Sequence, residues 1–159
     1  MSTRSHIGIR EKGIFIKYVY CHFDGYTING VGQMLFEHYK DEEKVKELIS
    51  LGDISFLEKN INPSKDSNHS FDTPEKDVTV FYHRDRGDID GNDIIYTKSP
   101  IGKSGPYKIC DFNYYPNKMI EYVYLFENGE WYSIGYNENK KTPTKILIKD
   151  ILKSRGILQ

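Results

Sequence analysis

Cysteine is nearly missing from this chain, with two in 159 residues, and Cys21 and Cys110 stand far apart in apolar, strand-like surroundings. That spacing implies neither a disulfide framework nor a zinc site, and it fits two buried free thiols in a reducing compartment. No apolar run is long enough to span a bilayer, and Met1 to His6 has no signal-peptide core, so a soluble cytoplasmic protein without a membrane partner is expected. An excess of either charge is lacking too. The 22 Lys and Arg against 23 Asp and Glu leave a net charge of −1, so duplex nucleic acid is not an expected partner.

Several catalytic signatures are also absent. No Gly-x-Ser-x-Gly elbow occurs, and Cys21 cannot use its neighbour His22 as a base because adjacent strand residues point apart. Gly102-Lys103-Ser104 resembles the end of a phosphate-binding loop, but Thr97 stands where the first glycine belongs and Pro106 blocks a following helix. Asp88, Asp90 and Asn92 alternate like calcium ligands, yet the glycine falls at Gly91 and no glutamate closes the loop. No His-x-His or His-x-x-x-His spacing supports a metal, so neither a metal nor a cofactor is expected.

What the chain does have is aromatic residues, with 13 Tyr and 8 Phe, in a length that suits one domain over 1–159. The stretch Tyr18 to Tyr26 closes an apolar run that begins at Ile14. On a strand, Ile16, Tyr18, Tyr20 and His22 share one face while Val19, Cys21 and Phe23 share the other. Both faces are apolar until His22 and Asp24 appear together at the end. A buried strand with a polar exit is a rigid support for a site, so this exit is expected at the edge of a ligand pocket. A plain Asp24-Gly25 turn beside an ordinary histidine is the competing reading.

Ser5 to Arg10 alternates as a first strand that turns at Lys12-Gly13 into the second, which brings Arg4 beside His22. From Asn29 the period lengthens. Val31, Met34, Leu35 and His38 form one helical stripe; Asp41 caps a second helix with Val45, Leu48 and Ile49 inward, stopped by Gly52. Asp53 to Leu57 reads as a short helical turn. Asn62 to Lys76 is a long polar loop, whose His69 and Phe71 can fold over a ligand or remain solvated. Asp77 to His83 resumes strand character, and a short strand is expected around Tyr107 to Phe112. Asn128-Gly129 joins the hairpin strands Met119 to Phe126 and Glu130 to Tyr136. Thr144 starts a C-terminal helix ended by Gly156, with a strand at Ile146 and Leu147 as the alternative. The expected class is α+β: an antiparallel sheet of about five or six strands, a two-to-three-helix insertion on one face and a C-terminal helix.

His83-Arg84-Asp85-Arg86-Gly87 is the second stretch with chemistry. Five of the 22 basic residues are arginine, so two of them two positions apart ask for a geometric reason. Guanidinium forks hold phosphate or carboxylate through two bonds, and Asp85 can orient one fork while the other stays free for a ligand. A solvated charged turn is the alternative.

Thr3-Arg4-Ser5-His6-Ile7-Gly8-Ile9, Tyr20-Cys21-His22-Phe23-Asp24-Gly25-Tyr26, Gly30-Val31-Gly32 and Arg84-Asp85-Arg86-Gly87, with the Val45 to Ser55 pattern, resemble a family of small uncharacterised phage and prophage proteins. The resemblance covers about the first ninety residues and part of the second hairpin; His83 departs from it, standing where the family has a small residue. It implies a phage accessory protein acting in the cytoplasm of an infected bacterial cell. By analogy with small phage proteins that blunt host defence, the expected function is an anti-defence sponge. Such a protein would bind and sequester a nucleotide-derived immune signal, a cyclic nucleotide or an ADP-ribose derivative, as a homo-oligomer. The expected site is Arg4, Ser5, His22, Asp24, Tyr26, Arg84, Asp85 and Arg86. The alternatives are a phosphodiesterase using His22 as acid or base, and an inhibitor that docks on a host defence protein through its Tyr-rich hairpin.

Overall fold

A computed structural model describes residues 2–11, 15–88, 95–98, 120–137, 139 and 142–159. Among them eight strands form one mixed sheet, β1 (Arg4–Glu11), β2 (Phe15–Cys21), β3 (Ile54–Phe56), β4 (Val80–Phe81), β5 (Ile95–Lys98), β6 (Ile120–Glu127), β7 (Glu130–Asn137) and β8 (Thr142–Leu147). The order is β4-β3-β2-β1-β6-β7-β8, with β5 paired to β2 off that path. Four helices accompany it: α1 (Val31–His38), α2 (Glu42–Ser50), α3 (Tyr82–Arg86) and α4 (Ile148–Ser154). The class is α+β, as expected. The sheet is not wholly antiparallel, because β1 runs parallel to β6 and β2 parallel to β3. Parallel neighbours require a crossover, and α1 and α2 supply one between β2 and β3.

Alternation in β1 and β2 decides the two faces. Ile7 and Ile9 stand in register with Tyr124 and Phe126, and with Val19 and Cys21 they pack beneath Val31, Leu35, Val45, Leu48 and Ile148. The opposite face buries Ile16, Tyr18, Val123, Leu125 and Ile134 as a second cluster. Central strands of a mixed sheet are covered on both sides, which explains the unbroken apolar run that leads to His22. The second hairpin turns through Asn128 at φ 52° and Gly129 at φ 78°, a left-handed pair matched to strand twist. Of its aromatic residues, Tyr124, Phe126 and Trp131 are at most 3% exposed, while Tyr122 and Tyr132 are half-buried.

Three local expectations are overturned. Asp53 to Leu57 contains a strand, not a helical turn, because Ile54 pairs with Cys21 and Phe81 at the sheet's end. The strand expected over Asp77 to His83 shrinks to Val80–Phe81, and Tyr82 to Arg86 coils into α3, ended by Gly87 at φ 84°. At the C-terminus the alternative holds: β8 precedes α4, whose Ile148 and Leu152 are buried. Asp41 caps α2 by accepting the Glu43 N–H at 3.2 Å. The Lys12-Gly13 turn, the Tyr107 to Phe112 strand and Cys110 lie outside the described residues. No helix among the described residues is long and apolar enough to cross a membrane.

Candidate functional site

The backbone fixes the exit of β2 before any side chain does. Beyond Cys21 the N–H groups of His22 and Phe23 donate to the carbonyls of Ile54 and Ser55 at 2.9 and 3.1 Å. Asp24 then takes a left-handed conformation at φ 55°, which aspartate tolerates better than most residues. The Gly25 N–H donates to Thr3 O at 2.8 Å, and the Asp24 carbonyl accepts the first N–H of α1, from Val31, at 2.7 Å. The turn is thus tied to β1, β3 and α1.

His22 sits at the head of a short chain of polar groups. The Tyr20 hydroxyl lies 2.6 Å from His22 Nδ1, and the Arg4 guanidinium hydrogen-bonds the same Tyr20 oxygen. The contact with Tyr20 orients the imidazole, and which of the two groups donates is set by the ring's tautomer. Burial, and then the charge of Arg4, hold the imidazole below its usual range, which favours the neutral ring at pH 7. Cys21 is fully buried and its thiol is pushed up to about 12 by that burial, so it is not an available nucleophile.

On α3 the two arginines diverge, because positions two apart on a helix differ by about 200°. Arg84 turns inward. Its Nη1 donates to Ile61 O at 2.7 Å, its Nη2 to Thr79 O at 2.9 Å, and its Nε and Nη2 grip the Asp85 carboxylate at 2.8 and 3.1 Å. Asp85 also accepts the Phe81 N–H at 2.8 Å and meets His69 Nε2 at 3.1 Å. The 62–76 loop is held by this cluster: Glu75 N–H donates to His69 Nδ1 at 2.9 Å, and Phe71 N–H donates to Asp85 O at 3.2 Å. Arg86 turns outward. It lies 4.4 Å over the Phe71 ring and 4.9 Å over Tyr82 and pairs with Asp88 at 2.5 Å.

These pieces enclose a cleft of about 780 Å³, within the range of roughly 300 to 1,000 Å³ usual for small-molecule sites. His22, Phe23 and Phe56 line it from the sheet end, Tyr82 and Arg86 from α3, and Phe71, Pro74 and Lys76 from the loop. Its rings gather in two sets, Phe23 with Phe56 at 6.3 Å and Phe71 with Tyr82 at 5.7 Å between centroids. Three acidic residues complete the lining, Glu58, Glu75 and Asp77. Burial, then the charges of Asp77 and Asp24, push the Glu58 carboxyl up. Hydrogen bonds from Ser64 and Ser67 hold Glu75 down, as an anion. Thr79 positions Glu58 by accepting its N–H at 3.0 Å and donating to its carbonyl at 3.0 Å.

Of the residues expected from sequence, His22 and Arg86 line this cleft, and Arg4 stands behind His22 through Tyr20. Asp24 lines a neighbouring hollow of about 360 Å³ against α1, separated from the cleft by Phe23, Phe56 and Glu58. Ser5 is fully buried beside the Cys21 thiol, and Tyr26 is exposed against the Tyr122 ring at 6.1 Å. Arg84 and Asp85 are taken up by the loop clamp, so the expected role of Arg84 as a ligand fork gives way to a structural one. Phe56, Glu58, Asp77 and Tyr82 were missed. Of these, only Tyr82 carried a signal, an aromatic two positions before the first arginine. Among the described residues no group of three or more His, Cys, Asp or Glu is placed to hold a metal ion.

Comparison with protein-family models, with curated proteins and with solved structures gave no match.

Proposed function

We propose that this cleft binds a nucleotide-derived small molecule and holds it unchanged, the sequestering activity expected of a phage anti-defence protein. The supporting observation is the stack of Arg86 on Phe71 and Tyr82 in the same cleft as His22 and Phe23. Aromatic rings accept a base by stacking, and base–ring stacking contributes about 1–3 kcal/mol. Arg86 then offers donors to a phosphate or sugar oxygen, and the imidazole of His22 a further polar contact.

The test is to incubate the protein with cyclic nucleotides and ADP-ribose derivatives, remove what is unbound, denature, and assay the released molecule. Intact recovery is expected. Recovery of an altered product would make the protein an enzyme, and no retention of any of these ligands would overturn the binding reading.

A further inference from the structure

We infer that the ligand of this cleft carries at most one negative charge, as a nucleoside or a cyclic mononucleotide does, and that ligands with two phosphate charges are disfavoured. This rests on the nucleotide-binding reading above and narrows it. The argument is one of charge balance. Glu58, Glu75 and Asp77 line the cleft against Lys76 and Arg86. Arg86 is already engaged by Asp88 through contacts of 2.5 to 3.2 Å. Lys59, 3.7 Å from Asp77, offsets part of one carboxylate, and Arg4 adds a positive charge behind Tyr20. Asp24, in the adjoining hollow, adds a negative one that is felt at Glu58. Even with those outlying bases counted, five carboxylates face four cations.

A dianion entering such a site gains one engaged arginine, one lysine and one neutral imidazole while meeting repulsion from the acidic wall. A ribose gains from the same wall, since its hydroxyls donate to carboxylates, as they do in dinucleotide-binding folds. The acidic residues therefore suit the sugar, the rings the base, and Arg86 a single phosphate or none.

The experiment is calorimetric titration at fixed ionic strength with adenosine and guanosine, their 3′,5′-cyclic monophosphates, ADP-ribose, and the cyclic dinucleotides of the same bases. The expected result is that a nucleoside or cyclic monophosphate binds on the order of tenfold tighter than any dianion. A Glu58→Gln/Asp77→Asn double variant should narrow that gap by about tenfold. Glu58 contributes its backbone rather than its carboxylate to the Thr79 bonds, so folding should survive, and thermal denaturation checks that it does. A dianion binding tightest, or a gap unchanged in a folded double variant, overturns this inference and leaves nucleotide binding standing. Failure of every probe to bind overturns both.

Discussion

The hydroxyl of Tyr20 lies 2.6 Å from Nδ1 of His22, and Arg4 holds that hydroxyl from behind. A strand residue and the residue just past the strand's end thus make a side-chain bond that orients the histidine. The first prediction concerns its titration. The His22 midpoint should lie below the ordinary 6.5, lowered by burial and by Arg4. An Arg4→Met variant should raise it, as followed by the imidazole proton resonances. The sign for stability follows: the unfolded chain binds a proton near pH 6.5 that folded His22 resists. Its effect is therefore absent above that pH and destabilising as pH falls from 6.5 through the folded midpoint. An unchanged midpoint in Arg4→Met would remove Arg4 from the network.

The two arginines of α3 should separate stability from binding. Arg84→Lys keeps the charge but loses the fork that reaches Ile61, Thr79 and Asp85 at once. It leaves the Asp85 carboxylate, 5% exposed, poorly compensated, and should cost about 3 kcal/mol in chemical denaturation. Arg86→Ala removes an exposed, solvent-screened pair and should leave the denaturation midpoint essentially where it is. It should nonetheless weaken nucleotide binding at least about tenfold. Equal stability losses in the two variants would contradict the division of labour.

The Asp85 carboxyl gives an acid-side prediction. Its partners, Arg84 first, then the Phe81 N–H and His69, outweigh burial and hold it below the usual 3.8. The stability it contributes is present above 3.8 and is lost as pH falls through its lower folded midpoint. Asp85→Asn should therefore flatten the acid limb of the stability curve, measured by denaturation between pH 5 and pH 2. A parallel acid limb in the variant would count against the clamp.

A fourth prediction concerns the turn after β2. A Cβ on Gly30 would lie 2.4 Å from Asp24 O and 2.6 Å from Tyr26 O, too near for backbone atoms to tolerate without moving. Gly30→Ala should cost roughly 3 kcal/mol and disturb the seat of His22 and Phe23. Thermal unfolding and a nucleotide titration would report both; an unshifted melting temperature would show that the turn yields freely.

How far the letters alone reach is clearest in three places. The first two strands, α1, α2 and the Asn128-Gly129 turn follow from local periodicity, caps and turn chemistry, which a short window of sequence contains. The pairing of Arg4 with His22 follows from hairpin geometry. The parallel contact of β1 with β6 joins segments more than a hundred residues apart and has no local signature. Residues 82–86 were misread for a related reason. His83 and Tyr82 continue a strand-like alternation, while the helix there depends on Asp85 reaching back to the Phe81 N–H and on the distant carbonyl of Ile61. Once those five residues coil, Arg84 and Arg86 can no longer serve one ligand together. The sequence therefore put both arginines at one ligand, whereas the fold leaves only Arg86 of the two at the cleft. The aromatic wall was invisible because Phe23, Phe56 and Phe71 come from a turn, a short strand and a loop.

That wall supplies the last prediction. Phe71 is held by its backbone N–H to Asp85 O and by ring contacts with Tyr82 and Arg86, and it is half-buried rather than core. Removing its ring should leave the fold intact, with less than about 1 kcal/mol lost in chemical denaturation. If a base stacks in this cleft, Phe71→Ala should lower nucleotide affinity by about 1–3 kcal/mol, on the order of five- to a hundredfold. Phe71→Trp, which keeps a π face over Arg86, should retain or improve it. A third variant, Phe71→Leu, separates stacking from simple filling of space, because leucine restores volume without a ring. Leucine should therefore behave like alanine. Affinity that follows side-chain volume and ignores the ring would mean that the cleft takes an aliphatic ligand, and the base-stacking role given to Phe71 and Tyr82 would have to be withdrawn.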